Sequence, residues 1–385
     1  MIINPIITSI LDTDIYTMFV GQVAFMEFPN TTVEYQFINR NKTPFPNGFV
    51  DELNKQIVHM GELFLTDSEY DYLDSLGYFS YDYLTFLRNF RFKRSDLTIH
   101  EKDGMLTVGF HGTWERHIMW EVPFLALVSE LYYKMIGAEK DDLWKNRIMD
   151  KAKLLSENGC KWMEFGTRRR FDFETQNTVV AIQKNYNGFL GTSNVLLAFK
   201  HNIPVLGTMS HQGPMAISAK VGVTFANREW RMVWKKVYKN KLNTFLPDTF
   251  TTDVFLRDFT RTEAIEWNLR QDSGSPDAWL AKIFGYYASN GIHGKSKTAV
   301  LSDSLNAELA VGYHKKYNDV INLVFGIGTS LSNDVGHKPL NIVIKLSGAN
   351  FGNGMIPVVK LSDTNGKYTG HPDAIANAKQ ELNII

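Results

Sequence analysis

Six short stretches of this 385-residue chain carry side chains suited to phosphate and sugar chemistry, and each follows an apolar run. They are GTRRR (166–170), GTSN (191–194), GTMSH (207–211), RQDSGS (270–275), SDSLN (302–306) and GIGTS (326–330). A Gly-rich turn such as Gly326–Ser330 can offer backbone N–H groups to an anion, with the Thr329 and Ser330 hydroxyls as further donors; taken alone it is equally an ordinary turn. Arg168, Arg169 and Arg170 form either a solvated charge run or a forked grip on phosphate. Asp272 and Asp303, past two different runs, suit sugar hydroxyls or Mg²⁺ on a diphosphate, or could cap the helices that follow. His211 behind Gly207 and Thr208 is either a structural histidine or a reactive one. Tyr16 and Phe165 read by default as core aromatics. HExxH, CxxC, G-x-S-x-G, Walker and GxGxxG signatures are absent from the sequence. By themselves these residues describe an enzyme for a phosphorylated, anionic small molecule without naming it.

Such residues must be brought together by the elements that carry them. Short apolar runs at Cys160–Phe165, Pro204–Leu206, Phe250–Val254, Ile265–Leu269, Thr298–Leu301 and Val320–Phe325 alternate with helical stretches, and a shorter run lies at Phe189–Leu190. That alternation is the signature of βα units, whose loops after the strands converge on one edge in a (β/α) barrel. The first third reads as α+β. Asp12 or Asp14 caps a helix through Tyr16, Phe19 and Val23; Val33–Ile38 is a strand; Phe49–Asn89 is mostly helical, with Thr66 and Asp67 at a cap. Leu97–Trp120 reads as a meander turning at Asp103-Gly104 and again at His111-Gly112. After Asp334, strands at Leu340–Leu346 and Ile356–Leu361, around a turn at Gly352–Gly354, are expected to return to the first sheet. The division this predicts is an N-terminal α+β domain over 1–125, completed by 335–385, and an α/β barrel over 126–334.

Composition narrows the class. Lys+Arg and Asp+Glu are balanced at 41 each, which gives no whole-chain pull toward nucleic acid or an anionic membrane. A single cysteine, Cys160, excludes an internal disulfide and fits a reducing cytoplasm. The start lacks a basic signal-peptide region, and no run of about 20 apolar residues exists to span a bilayer.

Taken together, EFGTRRRF (164–171), GTSN, GTMSH, LRQDSGSP (269–276) and FGIGT (325–329) resemble the nicotinate phosphoribosyltransferase family. So do LDTDIYTMFVGQVAF (11–25), LRNFRF (87–92), WEVPFLALVSE (120–130) and KPLNIVIKL (338–346), in the same order over nearly the whole chain. The resemblance implies a type II phosphoribosyltransferase fold: an irregular (β/α) barrel joined to an N-terminal α+β domain, in homodimers that share active sites. It implies conversion of nicotinate and phosphoribosyl pyrophosphate to nicotinate mononucleotide and pyrophosphate in NAD salvage, with Mg²⁺ and with ATP as co-substrate. By position, Phe165 and the partner subunit's Tyr16 would stack on the pyridine, and Arg270 and Ser193 would meet the carboxylate. Arg168 would hold phosphate, Asp272 and Asp303 the ribose or its metal (Mg²⁺ at Asp303), and Gly326, Gly328 and Thr329 the 5′-phosphate. His211 matches the histidine that the family phosphorylates. Nicotinamide phosphoribosyltransferase, similar in several motifs, has an aspartate where this chain has Ser193, and a serine favours the acid over the amide. A catalytically silent nucleotide-binding homologue is the other alternative. Quinolinate phosphoribosyltransferase shares the barrel but not this motif series. Where the family commonly has His-Glu-Trp and DSGD, this chain has His211-Gln212-Gly213 and Asp272–Ser275. The first change is expected to remove a charge beside the imidazole and to bear on ATP coupling, with base transfer retained.

Overall fold

A computed structural model of the chain describes residues 4–384. Its strands are β1 (Thr32–Asn39), β2 (Leu97–Lys102), β3 (Met105–Thr113), β4 (Trp162–Glu164), β5 (Phe189–Thr192), β6 (Thr244–Phe245), β7 (Asn268–Gln271), β8 (Thr298–Leu301), β9 (Asn322–Ile327), β10 (Ile342–Asn350) and β11 (Ile356–Pro357). They form an antiparallel five-stranded sheet in the order β11-β10-β1-β3-β2 and a parallel six-stranded sheet in the order β5-β4-β9-β8-β7-β6. The central strand β4 is buried throughout, as is the end of β9 from Phe325 to Ile327, as parallel strands covered on both faces by helices must be. This is the expected α/β sheet with helical crossovers, beside an α+β layer that the C-terminal strand β10 completes by pairing with β1 from Thr32↔Asn350 to Asn39↔Ile342.

Beyond β5, the bridge Thr192↔Val205 extends the parallel sheet by one residue pair. The N-terminal helix Ile15–Glu27 lies against that side. A Cβ on Gly207 would stand 2.4 Å from Ile15 Cγ2, so glycine permits the helix to press on the GTMSH loop. That helix shows buried residues on every side and not a single apolar stripe, which makes it a core element. Asp14 occupies its N-cap position, but its carboxylate makes no capping bond and accepts instead from Ser193 Oγ at 2.7 Å.

Local chemistry settles several elements. Thr66 and Glu69 form a reciprocal capping box on the helix Asp67–Ser75. Asp103 (φ 52°) and Gly104 (φ 73°) turn β2 into β3, as a two-residue hairpin loop requires. Other expectations fail. His111-Gly112 is no turn; both residues pair with β1, and the chain bends after Thr113 into the helix Trp114–His117. Phe250–Val254 is not a strand, because Thr251 Oγ1 accepts from Val254 N and starts the helix Thr252–Asp258. Ile265 lies in the helix Arg261–Glu266, capped by Thr260 and Glu263, so the strand begins only at Asn268. Pro204–Leu206 contributes a lone bridge, and Ile356–Leu361 shrinks to β11 and the bridge Lys360↔Thr369. The two-residue strand β6 carries too little pattern to be read from sequence.

Candidate active site

The loops after β4, β7, β8 and β9 open into one cavity of about 1160 Å³, lined among others by Phe165, Arg168, Arg270, Asp272, Asp303, Gly328 and Thr329. Parallel strands place these loops on a common edge, which is why residues more than 160 positions apart meet here. The two remaining loops, GTSN and GTMSH, stand one layer behind. Gly326 does not line the cavity. A Cβ there would come within 2.7 Å of the Phe165 ring, so its role in this fold is to let that ring lie against β9. Gly328 likewise permits close approach to the Phe165 carbonyl, at 3.0 Å from a built Cβ.

The three consecutive arginines have three different fates. Arg170 is fully buried, and its two terminal nitrogens grip the Asp12 carboxylate at 2.6 and 2.7 Å. Arg169 lines the cavity but donates Nε to the Ile342 carbonyl of β10 at 3.0 Å; burial, with Arg168 and Arg40 nearby, pulls its pKa down to about 10. Arg168 leaves its side chain 40% exposed in the cavity, with Nη1 3.7 Å from Glu121. Against the effect of burial, Tyr16, Glu121, Asp14 and Asp272 raise its pKa and hold it charged. Arg168 is therefore the arginine open to an incoming anion.

Arg270 lies with its guanidinium carbon 5.4 Å from the Phe165 ring centroid, a cation beside an aromatic platform. It donates to Ser302 Oγ (2.8 Å), Thr208 Oγ1 (3.0 Å) and Asp272 Oδ1 (3.0 Å). The other Asp272 oxygen is 3.0 Å from His211 Nε2. Burial opposes ionisation of Asp272, but the charges of Arg270 and Lys360 hold its carboxyl well below the usual range. Asp303, exposed to the cavity, accepts from Ser304 and has Lys367 at 3.8 Å; burial raises its pKa. Neither Asp272 nor Asp303 caps a helix; Asn306 does so after β8. Ser275 stands at the N-cap position of the helix Pro276–Ser289 without a capping bond.

His211 is nearly buried and reaches the cavity wall through Asp272 and Lys360. Lys360 Nζ lies 2.8 Å from His211 Nε2 and 3.2 Å from Asp248 Oδ2, while His211 Nδ1 faces Thr249 Oγ1 at 3.1 Å. An ammonium only donates, so Nε2 facing it must accept, and the ring proton belongs on Nδ1 toward Thr249. The contact with Asp272 would call for the opposite tautomer. We assign the neutral, Nδ1-protonated ring, because burial and the Lys360 charge both lower the His211 pKa. This leaves an imidazole lone pair on Nε2, the form needed to attack phosphorus.

Burial and the nearby Glu121 charge hold the Tyr16 hydroxyl well above its usual pKa, with Arg168 acting in the opposite sense, so within its own chain Tyr16 belongs to the Arg168 cluster. Ser193 is buried, and its hydroxyl is already donated to Asp14, so as arranged it offers lone pairs and not a proton to a neighbour. Several lining cations escaped the sequence reading: Arg40 just past β1, Lys345 on β10, and Lys360 and Lys367 beyond β11. Buried Asp248 and Glu164 escaped it too. Glu164 ends β4 and gathers Gly166 N (2.5 Å), Thr192 Oγ1 (2.6 Å) and Gln176 Nε2, tying the loops after β4 and β5 together. Burial pushes its pKa up to about 7.

Comparison with known proteins fits this geometry. The nicotinate phosphoribosyltransferase (NAPRTase) N-terminal domain model matches residues 11–129, and the nicotinate phosphoribosyltransferase (NAPRTase) family model matches residues 160–384. The chain belongs to the nicotinate phosphoribosyltransferase family. It is 38% identical over 384 residues to a nicotinate phosphoribosyltransferase of Desulforapulum autotrophicum, across 98% of this chain and 99% of that protein. It is 36% identical to one of Escherichia coli, across 97% and 95%. The crystal structure of nicotinate phosphoribosyltransferase from Porphyromonas gingivalis superposes with a TM-score of 0.96 at 38% identity, covering 98% of this chain and all of that one. The Vibrio cholerae enzyme gives 0.91 at 29%, covering 100% and 96%. The fold is therefore that of the family.

Its departures from the family pattern now have a physical reading. Gln212 points away from His211 and donates its amide to Glu121, so the imidazole faces Asp272, Asp248 and Lys360 and no group at position 212. The expected loss of a charge beside the ring is thus not what the substitution does. A Cβ on Gly213 would fall 2.1 Å from the Trp230 indole, so Trp230 fills the space a side chain at 213 would need.

Proposed function

We propose that this chain transfers the phosphoribosyl group of phosphoribosyl pyrophosphate to nicotinate, giving nicotinate mononucleotide and pyrophosphate in NAD salvage. The observation that carries the reading is the convergence in one cavity of a cation beside an aromatic face (Arg270 and Phe165), a second open arginine (Arg168) and two carboxylates (Asp272 and Asp303). The reaction breaks the bond from the anomeric carbon to the diphosphate oxygen and forms one to the pyridine nitrogen. Positive charge grows on the ribose and negative charge on the leaving group. Arg168 holds phosphate oxygens, Phe165 and the partner subunit's Tyr16 face the ring, and Arg270 meets the nicotinate carboxylate with the N–H groups its three protein bonds leave free. Ser193, bonded to Asp14, orients that corner and leaves the carboxylate to Arg270. Thr329 and Gly328 receive the 5′-phosphate, with Gly326 acting through Phe165.

Mg²⁺ is part of the proposal. Among the described residues no group of three or more His, Cys, Asp or Glu side chains stands close enough to hold a metal alone. That suits an ion held by one or two carboxylates and substrate phosphates, with Asp303 and Asp272 as its protein ligands. Bound there it would neutralise charge on the diphosphate.

ATP is proposed as co-substrate: its γ-phosphoryl group passes to His211 Nε2, the bond to the β-phosphate oxygen breaks and ADP leaves. The setting that supports this is a neutral ring with Lys360 beside the nitrogen that takes up phosphorus. We also propose a cytoplasmic homodimer with shared sites and domains at 1–125 with 335–385 and at 126–334; no helix among the described residues is long and apolar enough to cross a membrane.

The deciding assay mixes the purified protein with phosphoribosyl pyrophosphate and either nicotinate or nicotinamide, with and without ATP. Nicotinate mononucleotide is the expected product, with ADP formed in step. A preference for nicotinamide overturns the base assignment, absence of any mononucleotide supports the silent homologue, and absence of ADP removes the ATP step alone.

A further inference from the structure

The turn assigned to the 5′-phosphate follows β9 and runs into a one-turn helix, Thr329–Ser332. Two side-chain bonds hold the far end of this stretch to the loop after β4: Ser332 Oγ donates to the Gly166 carbonyl at 2.8 Å, and Asn333 Nδ2 to the Arg169 carbonyl at 2.7 Å. Residues 328–330 have one side-chain hydrogen bond to the rest of the chain, among the described residues. Lys151 Nζ donates to the Ser330 carbonyl at 2.6 Å and meets Asp334 Oδ2 at 2.5 Å. Lys151 belongs to the helix Trp144–Glu157, which buries Ile148, Ala152 and Leu155 and presents Arg147 and Lys151, four residues apart, to the same stretch. Arg147 Nη2 donates to the Asp334 carbonyl at 2.9 Å and to Asp141 Oδ2 at 2.7 Å. Carbonyls at the end of a helix lack an N–H partner, and a cation beside them is favourable. The Lys151 side chain is only 14% exposed, so its ammonium is committed to the turn although it borders the cavity.

We propose that Lys151 is a positioning residue: its ammonium ties the Ser330 carbonyl to the helix Trp144–Glu157 and so fixes Gly328 and Thr329 in place for the 5′-phosphate. The inference rests on the phosphoribosyl-transfer reading and deepens it. A peptide unit turns as one plane, so a carbonyl held at residue 330 also fixes the N–H of residue 331. Without that hold the carbonyl can swing toward an incoming phosphate and set oxygen against oxygen where donors are needed. Asp334 keeps the ammonium in its place and offsets its charge, so Lys151 acts on the turn and is not itself the ion partner of the phosphate. The effect belongs to the 5′-phosphate. The diphosphate, placed at Arg168 and the two carboxylates, does not depend on this turn.

Calorimetry on the full chain with two probes tests this: ribose 5-phosphate, which carries the 5′-phosphate alone, and inorganic pyrophosphate, which lacks it. Lys151→Met is expected to weaken ribose 5-phosphate about tenfold, as loss of a charge-assisted hydrogen bond would, and to leave pyrophosphate within about twofold. In turnover it should raise the KM for phosphoribosyl pyrophosphate about tenfold with kcat and the nicotinate KM within about twofold, the mark of binding lost equally in ground and transition states. Equal weakening of both probes, or of neither, overturns the proposal. Where ribose 5-phosphate binds too weakly to measure, the KM decides, and an unchanged value refutes it. Asp334→Ala separates positioning from direct contact. With its anchor gone the turn loosens, and ribose 5-phosphate should bind at least about threefold more weakly. An ammonium that met the phosphate itself would instead be released to it and bind it more tightly, which refutes the role. This second variant also decides the matter should Lys151→Met not fold. Wild-type protein that makes no mononucleotide and binds neither probe overturns the transfer reading, and this inference with it.

Discussion

Arg168 and Arg170 stand two residues apart and show two ways a protein can use a guanidinium. Arg170 is sealed: no side-chain exposure, both arms on Asp12, and Glu130 at 3.6 Å. Arg168 faces Glu121 at a distance too long for a hydrogen bond and opens to the cavity. The sealed pair fixes the loop after β4 to the start of the chain, and the open residue is then free to meet a ligand without carrying the fold. The Arg270–Asp272–His211–Lys360 cluster is of the open kind, since more donors and charges converge on His211 Nε2 than one lone pair or one proton can serve.

That contrast can be broken most directly at Arg170. Arg170→Ala leaves Asp12 buried without its ion partner and should cost about 3–5 kcal/mol in denaturant unfolding; a loss below about 1 kcal/mol would erase the distinction. Arg270→Ala should behave in the reverse sense. It is expected to lower kcat/KM for nicotinate by about 2–4 kcal/mol in transition-state terms, with a smaller loss of unfolding free energy than Arg170→Ala, because Asp272 stays partly exposed and keeps the Lys360 charge. Glu164 sharpens the comparison because it is sealed yet titrates. Its carboxyl is lifted to about 7, so the folded state keeps a proton that the unfolded chain releases near pH 4.5, and its contribution to stability falls as pH rises through that window. Unfolding of wild type measured against Glu164→Gln should shift in the variant's favour by about 2–3 kcal/mol between pH 4.5 and 7; a difference independent of pH would show the carboxyl ionised throughout. The smallest effect is expected at Lys360→Met. Removing the ammonium takes away one of the two largest influences that lower the His211 pKa, so its imidazole resonances should titrate at higher pH than in wild type, and an unmoved titration would reject the contact as the cause.

How much of this was legible in the sequence depended on how local the cause was. The Thr66 cap and the Asp103-Gly104 hairpin are decided within four residues and both were legible, although the part of Glu69 in that cap was not read. The gathering of loops past the strands held for four of the six, which the parallel βα pattern itself dictates, while GTSN and GTMSH stand behind the cavity. Apolar content misled at Phe250–Val254, where a threonine cap turned a run of buried residues into a helix. The arginine triplet was visible, but not which member faced inward, since that was decided by Asp12 and Glu121. Lys345 and Lys360 were not legible as site residues. Their place depends on β10 pairing with β1 about 300 residues away, and nothing in the spacing near them announces phosphate chemistry.

The pairing of β1 with β10 sets an order of assembly. In order of synthesis, every parallel strand precedes the lysines of the far wall, Lys345 on β10 and Lys360 and Lys367 past β11. The wall that sets an ammonium beside His211 is therefore the last part of the cavity to leave the ribosome.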